Sequence, residues 1–594
     1  MAAAPPTTTT PAAGRRPAGP GTRPLHGRVP LVAALLVAAA GALDLVSALT
    51  HASRPRVQTL TQYVPGALTH AATAATAVSG VLLLLIAHAL RRRKRRAWRA
   101  VVVVLAVSIV LHVVKGLDVE EAAVSAVVLA GLLRYRDEFY ARGDPRTRWR
   151  ALSVFLQLLL TSVVVGLVLV RIRLDTVVGS PSLGQQLQHV LLGLFGVAGP
   201  LRFRRDGPAD VVAFTLAGLG ALTALVPAYL ALRPAEPQPL LTADDEVRLR
   251  SLLARHGGRD SLGYFALRRD KSVVWSPTGK AAVAYRVLSG VALASGDPIG
   301  DPEAWPGALA AFVDLAARHA WVPAVMGCGE QGGTAYRRVG LMVLEIGDEA
   351  VVQVDEFTLE GRPMRGVRQA VNRVERAGYT TQVRRVADIP AAEREQIRQA
   401  TSTWRAGETE RGFSMALGRF GDSADDCCVL VTAEQDGALR GLLHFVPWGT
   451  DGLSLDLMRR DRTADNGVNE LLIVRAVEGG PALGVRRFSL NFAVFRAAFE
   501  RGERLGAGPV VRGWRGLLLF ASRWFQIESL YRFNAKFRPS WEPRYVCFPS
   551  SRDLPRVALA ALEAEAFLVW PRLPLAPGRQ PLARLLRALA PTGR

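Results

Sequence analysis

The stretch Ser454-Leu455-Asp456-Leu457-Met458-Arg459-Arg460 sets a carboxylate among strand residues that read as buried, with a guanidinium three residues on. A buried carboxylate needs a partner, and Arg459 is close by in sequence. A second basic set lies along 362–377. There Met364, Val367, Val371 and Val374 recur at the spacing of a helical core stripe, while Arg365, Arg368, Asn372, Arg373 and Arg376 line the rest. Forked guanidiniums on one face grip phosphate; a solvated basic face has the same pattern. The run Trp404 to Ser414 contains Glu410 and Arg411, and with Gly418-Arg419-Phe420 it mixes glycine, aromatic and charge. It reads as a loop lining a cleft, not as a core element. Asn466-Gly467-Val468-Asn469-Glu470 reads as a turn opening a helix. From Tyr531 to Arg544 come four aromatic and four basic residues, among them Arg532 and Lys536, with Asn534 between. That mixture suits a stacking and phosphate-holding surface for a single-stranded RNA end; core packing is the other reading of the aromatics.

Several familiar chemistries lack their residues. No CxxC pair, HExxH or histidine cluster is present, so no metal centre is expected. There is no GxxxxGK[ST] phosphate loop and no GxSxG nucleophile turn. Gly327-Cys328-Gly329-Glu330-Gln331-Gly332 matches GxGxxG after a strand, but the chain returns to a strand within a few residues, so a tight turn is expected there.

The elements that must hold these residues divide the chain in two. Residues 1–238 carry 26 Lys+Arg and 11 Asp+Glu (net +15), and residues 239–594 carry 48 and 40 (net +8). The second part alternates helix and strand patterns after a Pro-rich linker at 234–242. It reads as two similar α/β lobes, 243–390 and 391–575, each a mixed sheet with helices, followed by a basic tail at 576–594. Strands are expected at 341–345 and 350–354, and helices at 362–377, 391–403 and 466–478.

The first part is an α-helical polytopic membrane domain. After a disordered tail at 1–28, apolar runs at 29–50, 66–90, 98–116, 151–171 and 209–232 are long enough to span about 30 Å of hydrocarbon. A shorter run at 119–133 reads as a sixth span, and 187–200 reads as re-entrant, or as a seventh. Successive loops carry 4, 2, 7, 1 and 6 Lys/Arg, which sets the N-terminus in the cytoplasm. Six spans then return the chain, and the α/β domain, to the cytoplasm. Asp44 and the Lys115/Asp118/Glu120/Glu121 cluster are costly in lipid; transport and simple helix capping are both open readings.

Together these motifs resemble the phosphatidylglycerol lysyltransferase family, also called multiple peptide resistance factors. The resemblance rests on Asn372-Arg373-Val374-Glu375-Arg376-Ala377-Gly378-Tyr379, Glu410-Arg411-Gly412-Phe413-Ser414, Asp456-Leu457-Met458-Arg459, Asn466-Gly467-Val468 and, most specifically, Leu530-Tyr531-Arg532-Phe533-Asn534-Ala535-Lys536-Phe537. In the membrane part, Leu111 to Ala122 looks like the family's actinobacterial branch. The resemblance covers roughly 29–575.

It implies two tandem acetyltransferase-like (GNAT-type) lobes in a cytoplasmic domain of a bacterial cell-membrane protein. It implies transfer of an aminoacyl group, lysyl first among those known in such enzymes, from aminoacyl-tRNA to phosphatidylglycerol. That change lowers membrane negative charge and gives resistance to cationic peptides. It implies that Asp456, Arg459 and Lys536 line the reaction channel. No cofactor is then expected beyond aminoacyl-tRNA as co-substrate, because its ester is already activated. Some relatives carry a fused lysyl-tRNA synthetase; here a separate synthetase is expected as the supplier. An oligomer is compatible with the sequence. In this reading Arg459 or Lys536 faces the carbonyl oxygen or the phosphate. Asp456 orients that cation, grips the substrate's α-amino group or accepts the proton. A GNAT-fold acyltransferase with another donor would carry a Q/R-x-x-G-x-G/A loop, of which no convincing copy is found. A non-catalytic membrane transporter or interaction protein is the remaining alternative.

Overall fold

The computed structural model describes residues 28–49, 66–116, 119–141, 145–204, 206–232, 237, 240–405, 412–494 and 527–568. They form two units, Met1–Arg233 and Pro234–Arg594.

The first unit is helical. Its helices are α1 (Arg28–Leu49), α2 (Gly66–Leu90), α3 (Arg95–Gly116), α4 (Val119–Arg134), α5 (Pro145–Ile172), α6 (Leu183–Leu194) and α7 (Asp206–Leu232). Val37, Leu83, Leu90, Val101, Leu105, Val128 and Leu132 bring α1 to α4 around one core, and Val170, Val190, Val212 and Leu216 bring α5 to α7 around another. Among the described residues, three helical stretches are long and apolar enough to cross a bilayer: Val29–Ser47, Ala151–Ile172 and Gly207–Ala231. Helix α6 has 12 residues, about 18 Å, and starts earlier than the apolar run at 187–200 because a Ser182/Gln185 capping box opens it. It ends at Leu194, and Gly196 has a positive φ of 71°. Its polar Gln186 and His189 are buried while Leu183, Leu187 and Leu191 face outward, the reverse of a water-soluble helix.

The second unit is built on one sheet. Its strands are β1 (Ser272–Trp275), β2 (Ala281–Leu288), β3 (Val291–Ser295), β4 (Ile299–Gly300), β5 (Val322–Cys328), β6 (Met342–Gln353), β7 (Thr380–Arg385), β8 (Val429–Gln435), β9 (Ala438–Trp448), β10 (Gly452–Arg460), β11 (Arg487–Val494) and β12 (Ser540–Phe548). They lie in the order β1-β2-β3-β5-β12-β6-β11-β10-β9-β8-β7, with β4 beside β2. The pairings read the same from the centre outward. The central pair β12·β6 is antiparallel, and so are β12·β5 and β6·β11; next come the parallel pairs β5·β3 and β11·β10, then antiparallel strands. The two halves are therefore topologically equivalent, and each gives its last strand to the other. β6 closes on β11 of the later half, and β12 inserts beside β5 of the earlier one. Strand β7, although it precedes residue 390, pairs with β8 in the later half.

The helices are α8 (Ala243–His256), α9 (Trp305–His319), α10 (Glu330–Arg338), α11 (Arg365–Arg376), α12 (Ala391–Arg405), α13 (Val468–Gly479), α14 (Ile527–Ala535) and α15 (Leu554–Ala564). One sheet face packs on α8, α12 and α15. The other packs on α9 and α10 in the first half and on α11, α13 and α14 in the second. The stripe expected on α11 is real: Met364, Val367, Val371 and Val374 are all buried.

Candidate functional site

The sheet opens in the second half. β10 and β11 pair only over Gly452–Ser454 with Arg487–Ser489; beyond that β10 stays with β9, and β11 stays with β6. Both strands are irregular at the opening. β10 has a bulge between Leu455 and Leu457, and β11 shifts register between Ser489 and Phe492, with Asn491 at a left-handed φ of 67°. The Asn491 amide spans the opening and donates to the Leu455 carbonyl at 2.6 Å.

The bulged residue is Asp456. In an unbroken strand, residues three apart point to opposite faces. The extra residue cancels that offset and turns Asp456 and Arg459 to the same face. Asp456 accepts from the Leu417 N–H at 2.6 Å and pairs with His444 Nδ1 at 2.7 Å. Arg459 donates to the Thr401 carbonyl of α12 at 3.3 Å. Met458 and Arg460 point the other way, Met458 into the core under α13 and Arg460 to the Ala464 carbonyl. The Asp456 and His444 side chains are 4% and 3% exposed, so theirs is a desolvated pair. His444 borders a recess walled by Ile389, Ile397, Phe420 and Leu430, with Arg394 and Arg419 at its edge.

A loop at 412–420 covers this face, and many bonds fix it. Glu565 receives the N–H groups of Phe413 and Ser414, and Arg268 binds the carbonyls of Gly412 and Ala416. Arg419 is held between Asp425 and Glu246. Its hydrogen bond holds the Glu246 carboxyl below its ordinary range. Phe413 and Leu417 are fully buried, so this segment is a core loop and not the open cleft lining expected of its composition. Glu410 and Arg411 lie outside the described residues.

The other wall of the opening is β11 with α14. Asn534 is buried and donates to the Leu490 carbonyl, tying α14 to β11. The chain then leaves α14 at Lys536, whose ammonium meets Glu470 Oε1 at 2.8 Å and lies 5.2 Å from the Phe533 ring centre. Glu470 and Asn469 are in the first turn of α13, and Asn469 Oδ1 is buried with no hydrogen-bond partner among the described residues. Lys536 is therefore on the α13 and α14 side, whereas Asp456 and His444 are on the α12 side. The aromatic and basic run of 531–544 is largely core. Tyr531 packs on Trp541, Phe537 is buried against Phe533, and Arg544 is buried between Glu349 and Asp260. Arg532 and Lys536 remain exposed.

On α11, Arg365, Asn372, Arg373 and Arg376 are exposed and Arg368 is half-buried. Arg368 binds the carbonyls of Leu359 and Gly361, and Arg373 binds that of Asn466. The two therefore brace neighbouring turns as well as carrying charge. Gly327–Gly332 runs from β5 into α10 as strand, turn and helix, contrary to the expected tight turn, and the strand expected at 341–345 follows as the start of β6. At the start of α10, Asp297 accepts from the Gly329 N–H at 2.8 Å. Burial, with Asp260 beside it, pushes the Asp297 carboxyl well above the usual range. Among the described residues, no group of three His, Cys, Asp or Glu side chains is placed to hold a metal ion.

The family model described as phosphatidylglycerol lysyltransferase, C-terminal, matches residues 250–548, the whole of this opened sheet. The chain belongs to that family. A second model, the transmembrane region of lysyl-tRNA synthetase, matches 25–232, and with the apolar helices it makes this lysyltransferase-family chain a membrane protein. The chain is 46% identical over 496 residues to the lysylphosphatidylglycerol biosynthesis bifunctional protein LysX of Rhodococcus opacus, covering 82% of this chain and 44% of that protein. It is 48% identical over 451 residues to the protein of the same name from Mycobacterium avium, covering 75% of this chain and 38% of that one. The chain thus spans less than half the length of these relatives. The structure of L-PGS from Bacillus licheniformis overlaps 56% of this chain and 99% of that chain at 20% identity, with a TM-score of 0.49.

For this family member, sequence reasoning missed His444 and Leu417. A single histidine in an alternating strand looks like ordinary core, and its partner Asp456 is 12 residues away on the neighbouring strand. The local signal pointed to Arg459; the pairing partner follows only from the β9·β10 register.

Proposed function

We propose that this chain moves a lysyl group from lysyl-tRNA to the hydroxyl of phosphatidylglycerol, in an opening of the sheet walled by β10 and β11. The family match over 250–548 and the lysylphosphatidylglycerol name of the curated relatives support the substrates. The observation that carries the mechanism is the bulge at Asp456, which turns the Asp456–His444 pair and Arg459 to one face.

In the proposed reaction the lipid hydroxyl oxygen attacks the carbonyl carbon of the tRNA ester. A new ester bond forms, the bond to the ribose oxygen breaks, and the proton lost by the lipid hydroxyl ends on that ribose oxygen. Asp456 already accepts a backbone N–H on one oxygen, so its other oxygen orients the His444 ring rather than taking the proton. With Nδ1–H given to Asp456, Nε2 of His444 is the base that carries the proton across. Arg459 faces the charge that develops on the carbonyl oxygen, and Lys536, from the other wall, faces the lipid phosphate. Positioning two bound substrates supplies about 7–11 kcal/mol of barrier lowering, so a strong base is not required. The α11 arginines and Arg532 take the tRNA backbone. The α/β unit then faces the cytoplasm, a lysyl-tRNA synthetase activity charges the tRNA, and the product carries a more positive headgroup than its substrate, which lowers attraction for cationic peptides.

The test is to supply the purified full chain, in phosphatidylglycerol vesicles, with tRNA already charged with lysine, and to analyse extracted lipid by mass spectrometry. The lysyl ester is expected. No aminoacyl lipid with any charged tRNA would overturn the reading.

A further inference from the structure

The membrane unit buries an ionisable pair that aminoacyl transfer does not use. Asp44 on α1 and Ser108 and His112 on α3 are each 0% exposed. Ser108 Oγ donates to Asp44 Oδ2 at 2.8 Å, and His112 Nε2 lies 2.9 Å from Asp44 Oδ1. A carboxylate only accepts, so Nε2 carries the hydrogen. The other ring nitrogen, Nδ1, is buried and has no hydrogen-bond partner among the described residues. Asp44 is five residues from the end of α1 and His112 four from the end of α3, so both helix ends lie on one side. The pair sits about 6–8 Å inside that side.

The site has no room for a larger ligand. Both carboxylate oxygens are taken, and α2 crosses α1 directly beside it. A Cβ on Gly80 would lie 2.7 Å from the Gly41 carbonyl oxygen and 3.1 Å from the Asp44 Cβ. Among the described residues, the other polar groups buried in the same bundle are uncharged hydroxyls: Ser47 on α1, Thr76 and Ser79 on α2, and Ser125 on α4. The charged or titratable residues of these four helices lie toward their ends. They are Arg28 on α1, His70 and His88 on α2, Arg95, Arg96, Arg99 and Lys115 on α3, and Glu120, Glu121 and Arg134 on α4. With His112 neutral, the pair carries one net negative charge within an apolar bundle, and ionisable groups so placed mark ion or proton sites.

We propose that Asp44, His112 and Ser108 form a proton-binding site of the membrane unit, which exchanges one proton with water at the near helix ends. On loading, the open Nδ1 lone pair takes a proton from hydronium, leaving water; the pair becomes imidazolium and carboxylate and its net charge falls to zero. On unloading, the same N–H bond breaks and the charge returns. The ligand is the proton alone.

The full chain in lipid nanodiscs, labelled with nitrogen-15 histidine, tests this by magnetic resonance. The His112 signal, assigned by its loss in His112→Gln, is expected to pass from the neutral to the doubly protonated form between about pH 8 and about pH 5, where an imidazole can change charge. In Asp44→Asn the Nε2 signal is expected to change, because its carboxylate acceptor becomes an amide. A His112 ring held in one neutral tautomer across that range would overturn the proposal. The readout involves no tRNA, so the outcome is independent of the proposed lysyl transfer.

Discussion

Asp456 holds His444 by one oxygen and the Leu417 backbone by the other, so replacing it disturbs a base and a loop together. Asp456→Asn keeps the shape but removes the charge that fixes the imidazole. Transfer of the lysyl group is expected to fall by about 100- to 10,000-fold, the range of one positioned acid–base group. His444→Gln is expected to fall by a similar factor, and the double variant little further, since the two act as a unit. Initial rates with charged tRNA, beside filter binding of that tRNA, separate this from lost tRNA affinity, which is expected to be unchanged. A second residue prediction concerns Cys427, an exposed thiol pulled down to about 6, first by its hydrogen bond with Cys428, with Tyr264 and Arg250 beside it assisting. Its alkylation by iodoacetamide is expected to reach half its maximal rate near pH 6, and Cys427→Ser to remove that fast phase. Half-maximal labelling only near the ordinary thiol range would refute it. Neither partner of Asp456 is local in sequence, which explains why Asp456 was found from its neighbours and His444 was not.

At the level of elements, periodicity carried most of the information. Helix α11 was legible because its apolar stripe repeats at helical spacing and all four residues of it are buried. Strand β6 was harder. Glu345 to Glu349 breaks its apolar pattern, so two short strands were expected, yet one strand runs from Met342 to Gln353. It continues because the fully buried Glu349 is satisfied by Arg544, Ser261 and Ser489, none of them near in sequence. The same blindness made β12 look like an RNA-facing surface. Gly467 shows the opposite case, a turn the sequence announces and the packing requires. Its φ is 111°, and a Cβ there would lie 3.0 Å from Val374 Cγ2 and 3.2 Å from the Ala370 carbonyl oxygen. Gly467→Ala is expected to cost about 1–3 kcal/mol, from backbone strain and from forcing α13 away from α11. Denaturant unfolding of the full chain in detergent would measure it; a change within error would show that the two helices are free to part.

Across the whole molecule, the two halves of the sheet are bound by exchanged strands and by Arg544. That guanidinium, on β12, is buried between Glu349 and Asp260, with Ser261 beside it. Removing it leaves two buried carboxylates without their cation. Arg544→Met is expected to lose about 3–5 kcal/mol, and hydrogen exchange to speed up in both halves rather than one. The fully buried Lys271 bears on pH. Burial first, then Arg268, lowers its ammonium from 10.5 to about 7. Between those values the unfolded chain binds a proton that the folded chain lacks, so this contribution to stability rises with pH across the window. Below about 7 the whole penalty is present. Lys271→Met removes it, so the variant's stability relative to the parent is expected to fall by up to about 5 kcal/mol as pH rises from 7 to 10.5. A difference independent of pH would mean that Lys271 stays charged when buried.

The exchanged strands also constrain how the protein can be made. When the ribosome has delivered the first half, β6 has no final neighbour, because β11 and β12 have not yet been synthesised, and β5 keeps an unpaired edge until residue 548 emerges. Two open edges are thus exposed for the time taken to translate some two hundred further residues, about 10–40 seconds at bacterial elongation rates. The first half cannot be completed on its own, and a message cut short within the second half would yield a chain with a ready template for aggregation. Chaperone demand during synthesis is thereby built into the strand order.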